Sequence, residues 1–220
     1  MKKLVVFGLG TASALAARAI EVDTGRAVIG FTVDGKALTA SEFEGCPVYA
    51  FENLQSEIGL EDYELVLPLG FRRINWLRRE KLEQARSLGI SIGSWASKRA
   101  VIPQEFRPQA NTLVYEGVII QHFASIGENV ILRSGVNVGH HSSIGNHSFL
   151  ASGVVTGGRV QIGEHCWVGL GAVIRDGVTL APRTFVGAGA VVLGDTEPDG
   201  VYVGVPARRL PNKTSMELTA

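Results

Sequence analysis

From Val114 onward an aliphatic side chain returns every six residues: Val114, Ile120, Ile126, Leu132, Val138, Ile144, Leu150, Ile162, Val168, Ile174, Leu180, Val186 and Val192, with Thr156 the one exception. Ordinary usage would fill only about a third of such positions. A period of six suits neither an amphipathic helix nor the strands of a sandwich, which alternate with period two. It suits a solenoid in which each hexapeptide makes one flat side and a turn, with the aliphatic pointing inward. The residue two before it is small or valine, as at Ala124, Val130, Ser142 and Ala172, so that the corner can close. Glycine often follows it, as at Gly127, Gly139, Gly145, Gly157, Gly163 and Gly169, and is expected to take strained turn dihedrals. Successive coils would stack as parallel strands about 4.8 Å apart, the core growing one layer at a time.

The first hundred residues lack this period. Apolar runs at 4–7, 27–34, 47–50 and 64–70 alternate with helical stretches at 14–20 and 75–88, which predicts a small parallel sheet. Gly8-Leu9-Gly10-Thr11 lies between the first strand and the first helix, with Ser13 where a dinucleotide fingerprint would place its third glycine. A helix N-terminus with close backbone approach favours phosphate. Asp34, at the end of the second strand, stands where an acid that binds a ribose or base would sit. The expected fold is therefore α/β plus all-β: a small Rossmann-like parallel-sheet domain over 1–97, a parallel β-helix over 98–195, and a tail over 196–220.

Composition excludes several roles. Lys+Arg and Asp+Glu both number 21, so there is no basic footprint for nucleic acid. The two cysteines, Cys46 and Cys166, fall in separate domains and are expected to be free thiols of a cytoplasmic protein. The apolar start at Leu4 is broken at Gly8, which reads against a signal peptide, and no apolar stretch approaches the length of a membrane span.

The repeat resembles that of the hexapeptide-repeat acyltransferases, whose coils have three sides and wind left-handed. With the Rossmann-like domain ahead of it, the chain is similar to the bacterial family of sialic acid O-acetyltransferases and bacillosamine-pathway N-acetyltransferases. It is most similar to members that acetylate amino sugars carried on dTDP or UDP. The resemblance implies a homotrimer that uses acetyl-CoA as co-substrate and no metal, with a nucleotide-linked amino sugar in the N-terminal domain. It implies sugar-nucleotide contacts at Gly8, Gly10, Thr11 and Asp34, and, from the segment Phe71 to Lys81, at Asn75 and Arg78. It implies coenzyme contacts at Phe149, Leu170 and Ala188. It also implies one at Arg208, in the string Gly204-Val205-Pro206-Ala207-Arg208, so that the tail completes the coenzyme groove.

Five histidines lie on the repeat, and His122–His140 and His147–His165 are each 18 apart, hence stacked in adjacent coils of an eighteen-residue turn. His140 follows the inward Val138 by two and should point outward. Gly158, next in its column, would leave room beside the imidazole for the coenzyme. The string His140-His141-Ser142-Ser143-Ile144-Gly145 resembles the family's catalytic corner. There the first His is the general base, and His141 stands where many relatives carry Asp or Glu. Imidazole titrates close to working pH, as a base that accepts a proton from an attacking amine must. N-acetylation of a dTDP- or UDP-linked amino sugar for surface polysaccharide is the leading expectation. The alternatives are O-acetylation of a free sugar such as sialic acid, a noncatalytic nucleotide-sugar sensor, and a three-histidine zinc site like that of γ-class carbonic anhydrases.

Overall fold

The computed structural model describes residues 2–59 and 63–219; Met1 and Ala220, the outer ends of the expected first and last segments, lie outside the described residues. The N-terminal part is a five-stranded sheet. Its elements are β1 (Lys3–Phe7), α1 (Thr11–Thr24), β2 (Val28–Val33), β3 (Glu42–Phe43), β4 (Cys46–Ala50), α2 (Leu54–Ile58), β5 (Tyr63–Val66) and α3 (Trp76–Ser87). The strand order is β3-β4-β2-β1-β5, and every pairing except β3–β4 is parallel. Strand β1 is apolar from Leu4 to Phe7 because α1 covers one face of the sheet and α3 the other, so Leu4, Val6 and Ile20 share one core cluster and Val5, Leu65, Leu82 and Ala85 another. Gly8 sits at φ +102, and a β-carbon there would lie 2.6 Å from Ser13 Oγ. Ser13 itself donates to the Phe7 carbonyl at 2.9 Å. The missing third glycine is thus replaced by a buried hydroxyl that staples α1 to β1.

The rest of the chain is a left-handed β-helix with three flat sides. Each residue pairs with the one 18 positions on: Leu113 with Ile131, Ile131 with Phe149, Phe149 with Trp167, and Trp167 with Phe185. The first side starts at Trp95–Ala96, which already pairs with Leu113–Val114, and ends on the hairpin of Gly200–Val203 and Arg208–Thr214. The second side carries Ile119, Asn137, Val155, Val173 and Val191, and the third Ser125, Ser143, Gln161 and Thr179. All thirteen periodic aliphatics are buried in one continuous cluster. Each contributes on the order of 1.5–3 kcal/mol by leaving water. Thr156, the exception, is also buried, and its hydroxyl accepts from the Gly139 N–H at 2.9 Å.

The corners correct the expectation for glycine. The glycine that follows the aliphatic is not left-handed. It is needed because the next coil lies against it: a β-carbon on Gly145 would sit 2.6 Å from the Gly163 carbonyl carbon, and one on Gly169 2.6 Å from Ala188 N. The left-handed dihedrals occur three residues after the aliphatic. One corner column there is all glycine, Gly117 through Gly189. Another is Asn111, Asn129, His147, His165 and Arg183. Asn and His tolerate this region better than most side chains.

The tail is ordered and folds back on the N-terminal part. Helix Ser215–Leu218 starts with a capping box between Thr214 and Glu217. The Thr219 carbonyl accepts from Arg73 N–H at 2.7 Å, and its hydroxyl accepts from Ile74 N–H at 2.6 Å. These bonds hold Arg73, Ile74 and Asn75, three consecutive left-handed residues, ahead of α3.

Candidate active site

His140 lies at the corner between the second and third sides, with an exposed side chain. Its place is over-determined. Val138, just ahead of it, is anchored in the core, the Gly139 N–H is held by Thr156, and the His140 N–H donates to Gln121 Oε1 at 3.0 Å. The ring lies over Gly158, where a β-carbon would come 2.6 Å from Nε2. Nδ1 of His140 is 3.1 Å from Nδ1 of His141, so one of the two rings donates and the other accepts. His141, left-handed at φ 58, packs its ring 4.7 Å from that of Phe123. When His140 is the donor of that pair, its Nε2 is left as the free basic atom.

A groove of about 790 Å³ opens beside this corner, lined by Val101, Ile102, Ile119, Gln121, His122, Phe123, His140 and His141. It adjoins the second side, whose outward row is apolar apart from Asn137: Val101, Ile119, Val155 and Val173 are all exposed. Within that row Asn137 has its side-chain oxygen buried and without a hydrogen-bond partner among the described residues. The Gly158 N–H is already committed to Asp176 Oδ1 at 2.8 Å and is not free to meet an oxyanion.

The other expected residues fall in separate places on one chain. Gly8, Gly10 and Thr11 form the turn at the carboxyl end of β1, beside the end of β2, since Gly8 N–H donates to the Thr32 carbonyl at 2.7 Å. Asp34 is at that same edge, but its carboxylate pairs with Lys81. Thr11 and Phe149 line one cleft between the N-terminal part and the first side of the solenoid, together with Leu15, Pro68, Tyr115 and Arg133. Phe149 stacks on Trp167 with ring centroids 4.1 Å apart. Leu170 and Ala188 occupy the corner between the first and second sides, where Leu170 is exposed. Arg208 is exposed on the hairpin that ends the first side.

Asn75 and Arg78 require a correction: both are fully buried and face the solenoid backbone, not a cleft. Asn75 Nδ2 donates to the Cys166 carbonyl at 3.2 Å. Arg78 donates to the Asn129 side-chain oxygen at 3.1 Å and to the carbonyls of Leu69, His147 and Ser148 at 2.9, 2.7 and 3.2 Å. Burial pushes the Arg78 guanidinium down to about 9, still charged at neutral pH. These residues join the two parts of the molecule. His147 and His165 belong to the same junction, with rings 4.7 Å apart and Trp76 stacked on His165. They are structural and remote from the groove beside His140.

Residues 123–158 and 159–194 match the family model described as bacterial transferase hexapeptide (six repeats). These residues carry the hexapeptide repeat that the model describes. No curated protein sequence matches the chain. Among solved structures, this chain is similar to PerB from Caulobacter crescentus in complex with CoA and GDP-perosamine. The identity is 27%, the match covers 96% of this chain and 98% of that one, and the TM-score is 0.84. The acetyltransferase domain of PglB from Neisseria gonorrhoeae FA1090 is 23% identical over 96% of this chain and 100% of that one, at a TM-score of 0.85. WeeI from Acinetobacter baumannii AYE is 21% identical over 96% and 100%, also at 0.85. The last two establish the fold.

Arg133, Tyr115, Gln121 and Phe123 were not singled out by the sequence. Arg133 had a legible signal, since it directly follows the inward Leu132 and so stands on an outer wall.

Proposed function

We propose that this protein transfers an acetyl group from acetyl-CoA to the amine of a nucleotide-linked amino sugar, with His140 as general base. The observation that carries the reading is the His140 corner: an imidazole on an outer wall, Nδ1 bound to His141, Nε2 free, seated over a residue with no β-carbon. Likeness to a perosamine N-acetyltransferase supports the substrate class. In this reading the neutral amine attacks the thioester carbonyl. His140 Nε2 takes the proton that the nitrogen sheds, and the coenzyme leaves as its thiolate, which is then protonated. His141 orients the ring but, as an imidazole, polarises it less than a carboxylate would.

The working form is a homotrimer. The second side presents an apolar row bounded by the His140 corner on one edge and the Leu170–Ala188 corner on the other. A neighbour turned by a third of a circle sets the unlike corners face to face, which closes a ring with three equal contacts. Coenzyme and sugar contacts that lie apart on one chain then converge on His140 of another. Acetyl-CoA runs along the Leu170–Ala188 corner toward Arg208, and the nucleotide lies at Gly8, Gly10 and Thr11, with Asp34 released from Lys81 or reading the base beside it. A role in surface-polysaccharide synthesis in the cytoplasm follows from such a substrate.

The test is a coenzyme-release assay with 4-amino and 3-amino sugars on GDP, dTDP and UDP against free sialic acid. Turnover of an amino sugar nucleotide is expected. Turnover of sialic acid alone would replace N-acetylation with O-acetylation.

A further inference from the structure

The cleft between α1 and the first side of the solenoid, about 290 Å³, contains two polar side chains with unmet bonding capacity. Arg133 reaches into it half-buried beside the Tyr115 hydroxyl, and its guanidinium forms no ion pair with any described residue. The guanidinium carbon lies over the Tyr115 ring, 4.2 Å from its centroid. Tyr115 is 1% exposed, lines the same cleft, and its hydroxyl has no partner within hydrogen-bond geometry among the described residues. A buried phenol without a partner is costly unless a ligand completes it.

Opposite stands the N-terminus of α1. Gly10 caps it without any side-chain hydrogen bond, and its first turn contains no acidic residue. Thr11 and Ala12 of that turn line the cleft. A helix start with free N–H groups, an unpaired guanidinium and an unpaired buried hydroxyl, all on one small cavity, form an oxyanion site with donors on both walls.

We infer that Arg133 and Tyr115 grip the diphosphate of the sugar nucleotide from the solenoid side while the start of α1 grips it from the other. This rests on the nucleotide-sugar reading and deepens it. Arg133 is then a positioning residue, because it touches the linkage and not the reacting amine. The cleft also lies where the two parts of the chain meet, so the bound diphosphate bridges them. Arg133 thereby sets the direction in which the sugar leaves the cleft. The other source of the same chemistry is the diphosphate of coenzyme A, and the experiment separates the two.

Intact enzyme is titrated calorimetrically with GDP, UDP and dTDP, with the matching nucleosides, and with coenzyme A. The titrations use wild type, Arg133→Ala, Arg133→Lys and Tyr115→Phe. For whichever nucleoside diphosphate wild type prefers, Arg133→Ala is expected to weaken binding about 10- to 100-fold, the range for a lost charged hydrogen bond. Arg133→Lys should recover part of the loss, and Tyr115→Phe, which keeps the ring under the guanidinium, should cost about 3- to 10-fold. Nucleoside and coenzyme A affinities should not move, a pattern that a merely structural defect would not give. Unchanged nucleoside diphosphate affinity in both Arg133→Ala and Tyr115→Phe would overturn the assignment and leave the nucleotide-sugar reading intact. A loss confined to coenzyme A would overturn it by giving the cleft to the other substrate. Wild type that binds no nucleoside diphosphate would overturn both.

Discussion

The imidazole of His140 fills the space that a side chain on Gly158 would occupy, with Nε2 only 2.6 Å from where that β-carbon would stand. Gly158 lies one coil on from His140, so the solenoid's stacking fixes the pair. Gly158→Ala should therefore keep the fold and swing the ring off its position. Turnover is expected to fall about 10²-fold, the scale of an ångström misplacement, with the thermal midpoint within a few degrees of wild type. Full turnover in this variant would show that the ring's seat has no bearing on the chemistry.

Arg78 donates five hydrogen bonds of 3.2 Å or less to Leu69, Asn129, His147 and Ser148, and so ties α3 to the solenoid. Arg78→Met keeps most of the volume and strands those acceptors. A loss on the order of 3 kcal/mol or more is expected, seen in urea titration as earlier release of the N-terminal part, with the solenoid's own transition little changed. A single unshifted transition would mean that the junction is held elsewhere.

His147 and His165 are both driven below their ordinary value, to about 3 and about 4, chiefly by burial. Both are neutral in the fold: His147 Nδ1 accepts from Asn129 at 2.9 Å, and His165 Nδ1 donates to the Ile74 carbonyl at 3.3 Å. In the unfolded chain each takes up a proton near pH 6.5. Their stabilisation is therefore complete above that value and declines as pH falls toward 4 and then 3, by a few kcal/mol in all. The urea midpoint should drop between pH 7 and pH 5. The double variant His147→Gln, His165→Phe, compared with itself, should show a shallower drop. Equal slopes for the two proteins would contradict this.

The exposed apolar row on the second side predicts its own covering. Val155→Asp with Val173→Asp should convert the proposed trimer to monomer in sedimentation without unfolding it, and activity should vanish with it, since in that reading no one chain carries the whole site. Active monomers would refute the shared site.

The solenoid was legible because its signal is repeated: one aliphatic in six, thirteen times, leaves no other way to bury them. The outward direction of His140 followed from the same register. Asn75 and Arg78 were misplaced by analogy, since a polar pair after a strand reads the same whether it meets a ligand or a neighbouring backbone. Only the packing of α3 on the corner at Asn129 and His147 decides that. The corner glycines were misread for a related reason. Sequence shows that a position must be glycine without showing whether its dihedral or its neighbour demands it. Arg133 and Tyr115 went unremarked because the cleft they share is made by two regions far apart in the chain.

The most direct measurement is single-turnover acetyl transfer by His140→Ala beside wild type, with oligomer size and binding of both substrates checked in the same preparations. The variant should remain assembled, bind acetyl-CoA and the sugar nucleotide as wild type does, and transfer about 10²–10⁴-fold more slowly. Transfer at the wild-type rate would remove His140 from the reaction.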